Sequence, residues 1–132
     1  MGTSDFYRVD PTRIYEYKNG DVITIASIVG QNVPVGNNNV LLAGISGKRI
    51  RVHGWDCQNM GAANADYAFK SGAVTVLNAW RRLAYVAGGP VIFDDRPVID
   101  SGYFETATGE DLRLYVLGAA VNITVYYTVY TP

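Results

Sequence analysis

From Val121 to Tyr130 the chain alternates without a break. Val121, Ile123, Val125, Tyr127 and Val129 take one set of positions; Asn122, Thr124, Tyr126, Thr128 and Tyr130 take the other. Side chains point to opposite faces along a strand, so this run defines one apolar face and one semi-polar face. On a helix the same residues would be scattered around the whole surface. A half-buried strand needs a sheet, and the sheet needs a second layer over its apolar face.

Other stretches repeat the pattern. In Gly47–Trp55, Ile50 and Val52 alternate with Arg49, Arg51 and His53, which predicts a central strand with one apolar and one basic face. Val22–Val29, Asp66–Lys70, Ala73–Leu77, Tyr103–Thr106 and Leu112–Leu117 also read as strands. Gly20, Gly44–Gly47, Ser71–Gly72, Gly88–Gly89, Ser101–Gly102 and Thr108–Asp111 supply turns. Gln31–Asn39, with Pro34, Gly36 and three asparagines, reads as a turn-rich segment, and Asp94–Pro97 as a further turn. Asn78–Val86 reads either as a helical turn capped by Asn78 or as a loop. About eight or nine short strands, with turn signals roughly every 8–12 residues, predict an all-β antiparallel sandwich of jelly-roll type.

The domain is expected over residues 22–132, with an N-terminal arm over 1–21 that carries Phe6, Tyr7, Tyr15 and Tyr17. The arm either packs on its own domain or reaches a neighbouring subunit. At 132 residues a single domain buries roughly two thirds of its unfolded surface. A core therefore forms without disulfides, and the single cysteine, Cys57, excludes an internal disulfide framework. Only 17% of residues are charged, while 48% are hydrophobic, which points to apolar surface covered by partners. The net charge of −1 leaves no footprint for nucleic acid. No apolar run approaches the roughly 20 residues of a membrane span, and no basic-then-apolar opening marks a secretory signal.

Catalytic chemistry has few candidates. His53 and Cys57 stand four apart on one strand face, roughly 13 Å along it, too far for a dyad. His53 reads as a residue of the basic face and Cys57 as a half-buried small hydrophobe. Asp94, Asp95, Asp100, Glu105, Glu110 and Asp111 match neither a calcium loop nor a glycosidase pair. No enzyme activity, metal or cofactor is expected. Trp80, Arg81, Arg82 and Tyr85 form a cationic and aromatic group suited to an interface or to a sugar; the alternative is a solvated loop with Trp80 in the core. Tyr126 and Tyr130 share the semi-polar face of the last strand, which suits an interface, or serve as ordinary strand residues.

Three blocks occur in order: Ala43–Val52, Phe69–Gly72 and Gly102–Leu114. Together they resemble the small jelly-roll structural proteins of tailed bacteriophages, the head-decoration and fibre-type virion modules. The resemblance covers about residues 22–130 and brings no catalytic motif. It implies a virion protein made in the host bacterial cytoplasm, most simply a capsid decoration protein. Such a protein forms homotrimers that contact the major capsid protein or other virion proteins, and binds neither nucleic acid nor membrane. The alternative is a tail or collar fibre module that recognises a host glycan.

Overall fold

The computed structural model describes residues 6–10, 14–17, 22–89, 91–99 and 102–132, with side chains from residue 25 onward. All regular structure among them is β: β1 (Phe6–Asp10), β2 (Ile14–Tyr17), β3 (Val22–Thr24), β4 (Ala26–Val33), β5 (Gly36–Leu42), β6 (Arg49–Asn59), β7 (Ala65–Ser71), β8 (Thr75–Val76), β9 (Arg81–Leu83), β10 (Phe93–Arg96), β11 (Phe104–Glu105), β12 (Leu112–Leu117) and β13 (Val121–Tyr130). Two antiparallel sheets pack face to face as a sandwich. One has the order β10-β6-β13-β4, with β11 also on β6; the other has the order β5-β12-β7-β8, with β9 also on β7. β1, β2 and β3 form a third sheet, in the order β1-β2-β3. The stretch expected to be one strand from Val22 thus divides at Ile25, with β3 on β2 and β4 on β13.

The alternation of β13 holds, and its odd positions face the second sheet. Val121, Ile123 and Val125 meet Trp55 and Cys57 of β6, Tyr67 and Phe69 of β7, and Leu112, Leu114 and Val116 of β12 in one core. Most of these are fully buried. At about 1.5–3 kcal/mol for each large apolar side chain buried, this layer drives the two sheets together.

The expected basic face of the Gly47–Trp55 strand is revised at His53. β6 pairs with β13 as Gly54↔Tyr126 and then Val52↔Tyr127, so His53 is an extra residue opposite no partner, a β-bulge. The bulge inverts the alternation. Ile50 and Val52 face the core before it, and Trp55 and Cys57 after it. His53 and Cys57 therefore lie on opposite faces rather than sharing one. His53 is not on an open basic face but fully buried. Its Nδ1 lies 3.1 Å from the Ile99 carbonyl and its Nε2 2.9 Å from the Thr128 hydroxyl. A carbonyl only accepts, so Nδ1 carries the proton of that bond. Cys57 is fully buried in the core rather than half-buried.

Three further expectations change. Gln31–Asn39 is not a turn region: β4 runs to Val33 and β5 starts at Gly36. Asp94–Arg96 belongs to β10 rather than to a turn, in register with Trp55–Cys57 of β6. Asn78 caps no helix; its Oδ1 accepts the Phe69 N–H at 2.7 Å, standing in for a strand partner. Polar edge strands read as turns in sequence because one side of each has no neighbour whose packing would demand apolar residues.

Both sheets have an interrupted edge. β8 and β9 lie along β7 at Lys70–Ser71 and Ala65–Tyr67, separated by residues 77–80. β10 and β11 lie along β6 at Trp55–Gln58 and Arg51–Val52, separated by residues 97–103. The second detour crosses directly over Gly54, where an added Cβ would sit 2.7 Å from the Arg96 carbonyl oxygen. Glycine is thus required at the bulge for the chain to pass.

The three blocks that carry the phage resemblance converge at one end of the sandwich. The Gly44 N–H donates to Asp111 Oδ1 at 2.6 Å, and the Asp111 carbonyl accepts from Gly72. Thr106 Oγ1 accepts from the Ile50 N–H, Ser71 Oγ accepts from the Ala107 N–H, and Gly109 N–H donates to the Lys48 carbonyl. A Cβ on Gly44 would overlap the Gly109 carbonyl. The residue types in these blocks follow from this joint between loops.

Candidate functional site

The two interrupted edges face one another across the open side of the sandwich. There Asp94 of β10 reaches from one sheet to the other. Its carboxylate accepts from the Tyr67 hydroxyl of β7 and from Arg81 of β9, whose Nη2 lies 3.2 Å from Oδ1. Tyr67 in turn accepts the Trp55 Nε1–H at 2.7 Å. Burial, reinforced by the hydrogen bond to Asp94, pushes the Tyr67 phenol well above its ordinary range, so it stays a donor. Arg96 makes a second ion pair with Asp94, its Nε 3.2 Å from Oδ1 but out of hydrogen-bond alignment. The Asp94 side chain is only 12% exposed.

Beside this carboxylate the gap between the broken edges opens into a pocket of about 300 Å³. Leu77 and Asn78 line it from one break, Arg96, Tyr103 and Phe104 from the other, and Trp55 from the core. Trp55 packs edge-on against Phe69 and Tyr103, with ring centroids 5.0 and 5.2 Å apart, and tilted against Phe104 at 5.7 Å.

The expected group Trp80, Arg81, Arg82 and Tyr85 does not assemble. Adjacent residues on β9 point to opposite faces. Arg81 turns inward to Asp94, whereas Arg82 turns outward and forms a bidentate pair with Asp66, at 2.8 and 3.0 Å. That hydrogen bond holds the Asp66 carboxyl below its ordinary range. Trp80 is 44% exposed and stacks edge-on against Tyr115 of β12, centroids 4.7 Å apart. Tyr85 lies elsewhere, beside Val86, Val91 and Ile92 in a small cleft.

Tyr130 lies on the outer face as expected but is only 7% exposed. Its hydroxyl donates to Glu105, which also pairs with Arg51 at 3.1 Å and Arg49 at 3.3 Å. Arg51 stands over the Tyr130 ring, 5.2 Å from its centroid. Burial, then the Glu105 carboxylate, raises the Tyr130 phenol. The arginines of the expected basic face are therefore both engaged by Glu105 within the chain. Tyr126 is half-buried opposite Gly54. Phe6 and Tyr7 fall in β1 and Tyr15 and Tyr17 in β2; their side chains, like Asp100, lie outside the described residues.

A second depression runs over the outer face of β6 and β13. Val29, Asp56, Phe93, Asn122 and Thr124 line about 230 Å³. Asp56 pairs across strands with Asp95. A hydrogen bond shared with Asp95, then burial, then the neighbouring charge, pushes the Asp56 carboxyl up to about 6 from 3.8. The folded chain thus keeps a proton that the unfolded chain releases near pH 3.8. The pair weakens the fold as pH rises through the window from 3.8 to about 6, fully so above it. Asp56→Asn should raise stability above pH 6 by up to about 1 kcal/mol, solvent screening limiting the gain. It should change little below pH 4. Urea unfolding at pH 4 and pH 7 measures this; an equal gain at both would exclude the carboxyl pair as its cause.

Sequence reasoning missed the grouping of Trp55, Tyr67, Asp94 and Arg96, because its members come from three strands. Among the described residues no three His, Cys, Asp or Glu side chains group as a metal site. The chain matches no known family model and has no significant match among curated proteins.

Proposed function

We propose that the chain is a structural, non-catalytic protein of a tailed-bacteriophage virion: a capsid decoration subunit that assembles as trimers on the head shell against the major capsid protein. The observation that carries this reading is apolar side chains left in solvent on both outer faces of the sandwich. Val29 and Phe93 are 58% and 61% exposed along one groove, while Val76, Trp80 and Leu117 stand out from the other sheet. A small domain that leaves apolar groups in such numbers uncovered is suited to burial against neighbours. The strand order supports the jelly-roll reading. β4 pairs with β13, β5 with β12, β6 with β10 and β7 with β8, a long hairpin nested outermost to innermost and rolled upon itself. A separate sheet of β1, β2 and β3 supports residues 1–21 as an arm.

Light scattering on the purified chain tests the assembly, with a mass three times that of one chain expected and a monomer at micromolar concentration excluding it. Deleting residues 2–17 should leave a folded sandwich that no longer coats heads. Copy number places the protein on the particle: on the order of hundreds per virion marks a head-surface role, whereas a few dozen or fewer marks tail or collar.

A further inference from the structure

We propose that the pocket between the two broken sheet edges binds a carboxylate-bearing sugar, a hexuronate. Charge balance is the first ground. Two guanidinium groups, Arg81 and Arg96, share one carboxylate, Asp94, so among the described residues the site carries one positive charge in excess. Arg81 is held by two aligned bonds to Asp94, and Arg96 is not: its Nε is buried with no hydrogen-bond acceptor. The Arg96 side chain is nonetheless 37% exposed, so the rest of its guanidinium stays open to an acceptor from outside. The planar fork of Arg96 suits a carboxylate, which it can engage through two parallel bonds. A phosphate would bring more negative charge than the single surplus balances.

The walls supply the second ground. Trp55, Tyr103 and Phe104 give the pocket an aromatic floor and side, with Tyr103 partly exposed. The C–H face of a pyranose can lie against such rings. About 300 Å³ holds one six-membered ring with its substituents. This site differs from the Trp80, Arg82 and Tyr85 group, which the fold separates. It also stands apart from the assembly proposed above, since its test uses the isolated chain and no particle.

The test is a ¹H–¹⁵N correlation titration of the full chain with D-glucuronate, D-glucose and acetate. Trp55 provides an indole N–H signal at the pocket, and the Val29 main-chain N–H lies in β4, at the far edge of the same sheet. Glucuronate at about 20 mM, above the millimolar Kd expected of one charge-assisted pair with stacking, should move the Trp55 signal and leave the Val29 signal in place. Glucose and acetate should bind at least about tenfold more weakly. Arg96→Met should abolish the glucuronate shift, whereas Arg82→Gln should retain it. Arg96→Lys keeps the charge but not the fork and should weaken binding about threefold or more, which serves if the methionine variant does not fold. No Trp55 shift, or equal binding of glucose or acetate, or undiminished binding by both Arg96 variants, overturns the proposal.

Discussion

Replacing Trp55 by Ala should lower the free energy of unfolding by about 3–5 kcal/mol, the largest single loss expected in this chain. Trp55 is 3% exposed and touches Phe69 of the opposite sheet, together with Tyr103 of the detour and Phe104 of β11. Truncation would leave a cavity bounded by three aromatic rings and free the Tyr67 hydroxyl of its donor. Trp55→Phe keeps one aromatic ring in place and loses the rest of the indole with its N–H, so about 1–2 kcal/mol is expected. Urea unfolding followed by circular dichroism measures both. Equal losses for the two variants would mean that the hydrogen bond to Tyr67, and not packing, dominates at this position.

Asp94→Ala should follow at about 2–4 kcal/mol. Removing the carboxylate leaves Arg81 and a buried phenol without their shared acceptor and Arg96 without its counter-charge. Both arginines keep some contact with water, so the loss should fall short of that for a wholly buried ion pair. Asp94→Asn retains acceptor capacity without charge and should lose less. A double-mutant cycle with Tyr67→Phe isolates the bond between the sheets, with a coupling of about 1 kcal/mol or more expected. Additive losses would mean that Asp94 and Tyr67 act independently.

The architecture was legible where periodicity was clean. β13 and β12 carry their faces in their sequences because both are interior strands with one side on the core. The bulge also left a trace: the core positions shift from Ile50 and Val52 to Trp55 and Cys57, a change of phase that a single alternating strand cannot produce. Reading the stretch only as far as Trp55 hid it. The edge strands were not legible. Asn37–Asn39 in β5 and Asp94–Arg96 in β10 have turn-like compositions because water serves one side of each. The candidate site was the least legible part. Arg81 and Arg82 adjoin in sequence but diverge in space, whereas Trp55, Asp94 and Arg96 meet through the pairing of β10 with β6, and Tyr67 joins them only when the second sheet closes over the first. No spacing along the chain encodes that.

The nested pairing has a consequence for how the domain comes into being. β12 lies between β5 and β7, and β13 between β4 and β6, so the last two strands of the sandwich to be synthesised fill interior positions of both sheets. Before they emerge, neither sheet can close and the apolar faces of β6 and β7 have no complete layer to meet. The sandwich cannot be laid down strand by strand during synthesis; it must form in one late, long-range step, which places it among slow-folding topologies. Until that step the nascent chain exposes unpaired interior edges, and its yield in a cell depends on protection from its own copies during that interval.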